Sequence, residues 1–512
     1  MDTKWYLRIG RATEIANPRD RIIYRMLEIM PGVLAWGTLV GLVVLSIFQP
    51  AWVAVFIILF DVYWFVKVLY LSFHLRSGYR RLKENLKIDW WSKLKERSDW
   101  EDYWHLVVLP MYQEPYEVVR QTFKALLDSK YNQNKMIMVL ALEERGGADP
   151  LQTAEKIKKE FGSEFFKLLV TVHPQNIPGE LAGKGANECW AVKRVKEEII
   201  DPLNLPHEKI IVSVFDVDTN VWPQYFALLT HKYIAHPNPA RASFQPVPIF
   251  TNNIWEAPAL ARVVSFSSSF WLTMQQERPE RQVTFSSHSM SFRTLAEVGF
   301  WQTNIVSEDS RIFWQCYNFY NGNYETVSLY APVYMDAAVD ETFWKSLKAL
   351  YKQQRRWAWG AENLVYCLFA FTKNKTLPLT KKLRHGFNLV EGYYSWATNA
   401  LIIFLMGWLP VFLGGTTFNV TVLSYNLPRI TRTIMTLAML GLVSSAVISM
   451  NLLPPRPPRY GRHKYVWMIL QWALVPFTTI IFGSIPALDA QTRLMLGKYM
   501  GFWVTPKNRL TK

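Results

Sequence analysis

Residues 33–49 contain no charged side chain, and after Pro50 a second apolar run, 51–73, carries only Asp61 and Lys67. Each is long enough, as a helix, to cross a hydrocarbon layer of roughly 30 Å. Two such runs back to back read as a helical hairpin in a membrane. A cleaved leader is not the reading, because the first run starts well inside the chain, lacks a small-residue cleavage pattern and leads at once into the second. Arg8, Arg11, Arg19, Arg21 and Arg25 precede the hairpin, and Arg76, Arg80, Arg81, Lys83 and Lys87 follow it. Both flanks therefore favour the cytoplasmic side, and the middle of the chain is expected there. Asp61 reads as a structural acid, paired with Lys67 or with another helix.

Two more apolar runs, 389–413 and 430–453, are joined by a polar segment containing Asn419, Val420 and Thr421, which is expected to face outward. The Asn-Val-Thr triplet matches a glycosylation acceptor, a pattern that is more often chance. The loop 454–464, PPRPPRYGRHK, is basic and proline-rich and reads as a cytoplasmic turn. A last apolar stretch, 465–488, is interrupted by Pro476 and Pro486. A full crossing there would place Arg493, Lys498, Lys507, Arg509 and Lys512 outside, against the charge bias. It is expected to be interfacial or re-entrant, with a fifth crossing as the alternative. The chain then divides into a cytoplasmic N-terminal segment (1–30), two spans (31–75), a cytoplasmic domain with interfacial helices (76–387), two spans (388–455) and an interfacial or re-entrant helix with a tail (456–512).

This topology also accounts for the charge. The 57 Lys and Arg against 41 Asp and Glu give a net +16, but much of the excess flanks apolar runs instead of forming a nucleic-acid-binding face. The three cysteines, Cys189, Cys316 and Cys367, lie far apart without a CxxC spacing. They make neither a disulfide framework nor a zinc site and point to a reducing compartment. A multi-pass protein of a bacterial plasma membrane suits the cysteine usage and size.

Between about 100 and 380, short β-branched runs alternate with helix-like ones. HLVVLP near His105, KMIMVLAL from Lys135, KLLVTV from Lys167 and KIIVSVF from Lys209 read as strands. Segments 117–129 and 186–200 have helical apolar spacing. The alternation predicts an α/β domain with a mainly parallel sheet, whose ligands sit at the C-terminal strand edges. Neither GxGxxG nor a Walker A sequence is present, so a nucleotide would be held by other chemistry. Asp216-Val217-Asp218 follows KIIVSVF, and alternate residues of an extended segment point the same way. Two carboxylates can then hold one divalent cation, which would neutralise charge on a departing diphosphate. Ser307-Glu308-Asp309 and, on a helix from about Thr342, Gln353-Gln354-Arg355-Arg356-Trp357 complete the constellation.

These residues resemble the membrane-embedded family 2 glycosyltransferases, the group containing cellulose, hyaluronan and chitin synthases and ceramide glucosyltransferase. LPMYQEP from Leu109 resembles the family's first strand and turn, GKGAN from Gly183 its lysine segment, and Asp216-Val217-Asp218 its D-x-D. Ser307-Glu308-Asp309 resembles T/S-E-D, while Gln353, Arg356 and Trp357 match Q-x-x-R-W. Phe502-Trp503-Val504-Thr505-Pro506-Lys507 fits F-x-V-T-x-K, the gating-loop pattern of cellulose synthases.

The resemblance implies a GT-A nucleotide-sugar-binding domain inserted between transmembrane helices. Asp216 would contact the nucleotide and Asp218 the metal, Mg²⁺ or Mn²⁺, with Asp216 also counted as a ligand. Asp309, beside Glu308, would be the base that deprotonates the acceptor hydroxyl, with inversion at the anomeric carbon. Arg356 would pair with the diphosphate, Gln353 would stand by it, and Trp357 would offer its face to the acceptor sugar. Lys184 would lie near the nucleotide, and Thr505 with Lys507 would close over it. His288, in SSHSMSF, is a candidate contact to the acceptor. Where the family's second strand usually ends in D-D or D-G, this chain has Glu143-Glu144. Either glutamate could hold the base and ribose with a longer reach.

The expected activity is transfer of a sugar, UDP-glucose or a related UDP-hexose being the favoured donor, to a growing β-linked polysaccharide. Single transfer to a lipid acceptor is the alternative, favoured by the small membrane part. With about four spans, a polymer product would call for an oligomer or a secretion partner. A non-catalytic scaffold or transporter subunit is the competing class. It is disfavoured because the acids and the Q-x-x-R-W group are all present and no repeated hydropathy appears.

Overall fold

In the computed structural model, residues 4–506 are described. Asn17 caps the first long helix by accepting from the Asp20 backbone N–H at 3.1 Å, and Pro18 occupies its first turn. That helix, α1 (Pro18–Phe48), is followed by α2 (Pro50–Asn85), and the two prolines mark starts where no intrahelical donor is lost. Asp61 in α2 accepts from Thr431 Oγ1 at 2.8 Å. Its partner is thus on another helix, whereas Lys67 pairs with Glu391.

The α/β domain that follows is built on an eight-stranded sheet of order β3-β2-β1-β4-β7-β6-β8-β5. Its strands are β1 (Trp104–Met111), β2 (Met136–Glu143), β3 (Lys167–His173), β4 (Ile210–Val214), β5 (Asn220–Val221), β6 (Ala242–Phe250), β7 (Ser289–Ser291) and β8 (Glu325–Met335). The four runs expected as strands form the parallel half, with β1 between β2 and β4 and β3 outside β2. Every residue of β2 and β4 is buried, as in a sheet covered on both faces. Antiparallel β7 joins this half to β6 and β8, making the sheet mixed.

Four further helices place the site. These are α3 (Lys184–Val195), α4 (Glu308–Phe319), α5 (Phe343–Ala358) and α6 (Ala361–Lys373). Beyond them lie α7 (Leu379–Leu401), α8 (Val422–Leu452) and α9 (Ile485–Met495). Among the described residues, four helical runs are long and apolar enough to cross a membrane: Pro18–Phe48, Pro50–Asn85, Val422–Leu452 and His463–Met495. The apolar run 389–413 falls on α7 and a π turn at Ile402–Met406 and is not among them. The run His463–Met495 is bent by a 3₁₀ turn at Gln471–Leu474, by Pro476 and by a π turn at Ile480–Ser484.

Both ends of that run touch the α/β domain. Near its start, Trp255 Nε1 donates to the Pro454 carbonyl at 3.1 Å, and Trp472 stacks on Phe270 with centroids 5.6 Å apart. Near its end, Arg355 of α5 donates to Asp489 at 2.9 Å. The chain then runs back to the N-terminus of α3, where Phe502 lies against Gly183.

Candidate active site

Lys184 opens α3, and its ammonium is the centre around which the acids gather. It donates to both oxygens of Asp309 at 2.9 and 2.8 Å and pairs with Asp216 at 2.9 Å. Glu188 and Glu308 stand at 3.6 and 3.7 Å. Glu188 escaped sequence reasoning. Its signal was the helical spacing of four from Lys184, which puts both on one face. Burial would push the Lys184 ammonium down, but the four carboxylates outweigh it and hold its pKa well above the usual lysine range. Burial drives Glu188 well above the carboxylate range against the pull of Lys184, and burial with repulsion from Asp309 carries Glu308 up to about 8. Glu308 therefore holds its proton at neutral pH, and burial pushes Glu188 in the same direction, while Lys184 stays charged.

The turn that carries Glu308 and Asp309 is fastened from behind. Glu362 of α6 accepts from the backbone N–H groups of Val306 at 3.1 Å and Ser307 at 2.8 Å, and from Trp359 Nε1 at 3.0 Å. Arg311, fully buried, donates to Asn363 and Gln302 and lies over the Tyr366 ring at 4.0 Å. Gly185 is small for a reason: a Cβ there would lie 2.9 Å from the Glu308 Cβ. The Asp216-Asp218 turn is held similarly, Thr122 donating to the Val217 carbonyl at 2.7 Å and Asn252 to that of Asp218 at 2.9 Å.

Lys184, Asp216, Asp218, Glu308 and Asp309 line one cavity of about 1120 Å³, together with Gln353, Arg356, Trp357 and Thr505. The spacing of Gln353, Arg356 and Trp357 puts them on one face of α5, while Arg355 points away to Asp489. The Arg356 guanidinium lies over the Phe502 ring at 4.6 Å, and Trp357 packs on Phe250 at 5.8 Å. Thr505 is buried with its hydroxyl unpartnered. Lys507 lies outside the described residues.

The two glutamates after the second strand separate. Glu143 lines the cavity and pairs with Arg145 at 2.5 Å, whereas Glu144 is exposed and accepts from the Gln175 backbone N–H at 2.9 Å. His288 was expected at the acceptor, but it is fully buried and is not among the described residues lining the cavity. It stands behind Asp309 at 3.9 Å, with Nδ1 at 3.0 Å from the Phe285 carbonyl. Burial lowers its pKa despite Asp309, so the ring is neutral.

Asp216 and Asp218 both face the cavity and offer the hard oxygen donors a divalent cation takes. Asp218 Oδ2 is oriented by the Asp336 backbone N–H at 2.9 Å. Glu188, Glu308 and Asp309 also bring oxygens within 4.8 Å of one another. The Lys184 ammonium contacts that trio and Asp216 alike.

Residues 211–483, more than half of the chain, match the profile of glycosyl transferase family group 2. No curated protein sequence matches the chain. Among solved structures, one similar chain is the mannosyltransferase PcManGT from Pyrobaculum calidifontis in complex with GDP-Man and Mn²⁺. It is 14% identical over 77% of this chain and 99% of that one, at a TM-score of 0.38. Another is S. aureus TarS 1-349 in complex with UDP, 12% identical over 68% of this chain and 92% of that one, at 0.36. At such scores the alignments carry nothing about ligands, and the family match bears the weight.

Proposed function

The chain belongs to glycosyl transferase family group 2 and is a glycosyltransferase with an α/β GT-A domain, and from that premise we propose that it moves a hexose from a nucleoside-diphosphate sugar to an acceptor hydroxyl with inversion. One observation carries this reading. Acids from separate segments, Asp216 and Asp309, meet on a single buried ammonium in a cavity that also holds Arg356 and Trp357.

In the proposed reaction the acceptor oxygen bonds to the anomeric carbon as the bond from that carbon to the diphosphate breaks, and the acceptor proton passes to Asp309. Lys184 holds both Asp309 oxygens, so one must be released when the diphosphate supplies a competing negative charge. In this reading Arg356 meets the diphosphate with a guanidinium fork, Trp357 presents a flat face to the acceptor sugar, and Glu143 holds the nucleotide, a reading supported by all three lining the cavity. Mg²⁺ or Mn²⁺ held by Asp216 and Asp218 would neutralise the leaving group. Glu308 and Glu188 tune Lys184, Gln353 stands beside Arg356, and Thr505 closes one wall.

A growing β-linked polysaccharide, extended from UDP-glucose or a related UDP-hexose, is the acceptor that Q-x-x-R-W and F-x-V-T-x-K favour. A lipid acceptor is a second reading, favoured because Trp64, Lys67 and Leu71 of apolar α2 line the same cavity. The proposed setting is a plasma membrane, bacterial by cysteine usage, with the α/β domain cytoplasmic. The proposed topology has two spans before that domain and two after it, the third being the run 389–413 although its helix is interrupted by the π turn Ile402–Met406. The contacts of both ends of His463–Met495 with the α/β domain support a re-entrant reading of that run.

The test is nucleotide release from a panel of UDP- and GDP-sugars by detergent-purified protein with native lipid retained. Turnover is expected to need Mg²⁺ or Mn²⁺ and to fall about 100-fold or more in Asp309→Asn, the scale of a lost general base. Undiminished turnover in Asp309→Asn would sink the assignment.

A further inference from the structure

The cavity does not end at the acids. Away from Lys184 it is lined by Trp64, Lys67 and Leu71 of α2, by Arg278 and Arg281 of the segment after residue 275, and by Arg384 and Glu391 of α7. Here the balance of charge reverses. Lys67, Arg278, Arg281 and Arg384 face two carboxylates, Glu280 and Glu391. Glu391 is fully engaged: it pairs with Lys67, accepts from Arg281 at 3.3 Å and takes Tyr63 and Ser395 hydroxyls at 3.1 and 2.9 Å. Glu280 is the more exposed and approaches Arg278 only to 3.7 Å, while its backbone carbonyl accepts from Arg384 at 3.2 Å.

Arg278 is the telling residue. Only 7% of it is exposed, it lines the cavity, its guanidinium lies over the Tyr70 ring at 5.4 Å, and its Nε makes no hydrogen bond, meeting only the long 3.7 Å ion pair to Glu280. The buried amide of Gln282, also on the cavity wall, keeps an Nε2 without a partner. An orphaned buried amide beside a guanidinium held only by a long ion pair is costly unless an anion completes them. The wall at this end is apolar α2, with Trp396 of α7 and Phe482 of the His463–Met495 run, so the anion should arrive on an apolar carrier.

We propose that this end of the cavity binds the phosphate headgroup of a lipid acceptor, with Arg278 and Arg281 as its main ligands and Gln282 as an added donor. The proposal rests on the transferase reading for the word acceptor, and within it takes up the lipid-acceptor alternative and narrows it to a phosphorylated lipid. Guanidinium forks match phosphate oxygens in pairs, which explains arginines here where a lysine would give only a point charge.

The experiment uses the full-length protein in detergent and native mass spectrometry. The probes are a polyisoprenyl phosphate, the matching polyisoprenol, inorganic phosphate and a soluble uronate oligosaccharide. The phosphorylated lipid is expected to be retained at about tenfold lower concentration than the alcohol, the scale of one charge-assisted contact. Arg278→Ala with Arg281→Ala should abolish that preference, Arg278→Lys should restore part of it, and Lys158→Ala on the exposed face of the α/β domain should leave it intact. Equal retention of lipid phosphate and alcohol would overturn the proposal, and this arm needs no variant to fold. Retention of the uronate oligosaccharide but not the lipid phosphate would overturn the lipid assignment. Nucleotide release measured in parallel separates the two readings: lipid retention without turnover of any donor would fail the transferase and leave the binding site standing.

Discussion

One lysine held among four carboxylates is costly to bury unless the charges are matched, and the chain matches them by protonating some of the acids. Glu308 keeps its proton up to about 8 against an ordinary 4.5. The unfolded chain loses that proton earlier, so between those values the folded protein binds more protons. The associated stability is present in full below the unfolded value and is lost as the pH rises toward the folded one. Melting temperature should therefore fall from about pH 5 to about pH 8 more steeply in the native protein than in Glu308→Gln, which carries no titrating proton there. Parallel pH profiles would show that Glu308 is charged throughout. Glu362 acts at one remove, through the backbone it binds behind Asp309. Glu362→Ala should cost about 1–3 kcal/mol of stability for the donors it orphans, and it should lower kcat while leaving the half-saturating metal concentration in place. An unchanged kcat would mean that the turn holds its shape without that carboxylate.

The elements meet at the end of the chain. The stretch 501–506 has no regular structure, yet Phe502 fills the space between Gly183, at the start of α3, and the Arg356 guanidinium of α5. A Cβ on residue 183 would lie 2.5 Å from the Phe502 Cβ, closer than packed atoms tolerate. Gly183→Ala must displace the tail. It should cost about 1–3 kcal/mol, the usual range for overpacking, and make the tail more open to protease while the α/β core keeps its resistance. Native-like resistance of the tail in that variant would mean that the packing yields without releasing Phe502. The bends of His463–Met495, set by a proline and a π turn, let this tail reach the site.

At the scale of the molecule, the proposed topology puts the α/β domain and the tail on one side of the bilayer and the 414–421 connection on the other. Cys189, Cys316 and Cys367 are all buried, so labelling of the native protein should be low. Val420, 85% exposed, and Leu203, 50% exposed on the α/β domain, are suitable reporters. Val420→Cys should react with an impermeant maleimide on intact cells, and Leu203→Cys only after the membrane is opened. The reverse pattern would invert the topology.

The amino-acid sequence by itself determined what depends on near neighbours. Strand-forming segments, the apolar runs 33–49, 51–73 and 430–453, and the spacing that puts Gln353, Arg356 and Trp357 on one helical face are local patterns that the helices and strands follow, whereas the run 389–413 breaks at a π turn. The residue types suited to sugar transfer were legible as motifs for the same reason. Only the tertiary structure decided how distant segments share charge. It chose Glu143 over Glu144 as the glutamate facing the cavity, put His288 behind Asp309, gave Asp61 a threonine in α8, and brought Glu188 and Glu362 into the site. Those outcomes rest on which side chains are buried together and which ion or hydrogen bond each then requires, and burial is a property of the packed chain that no local pattern records.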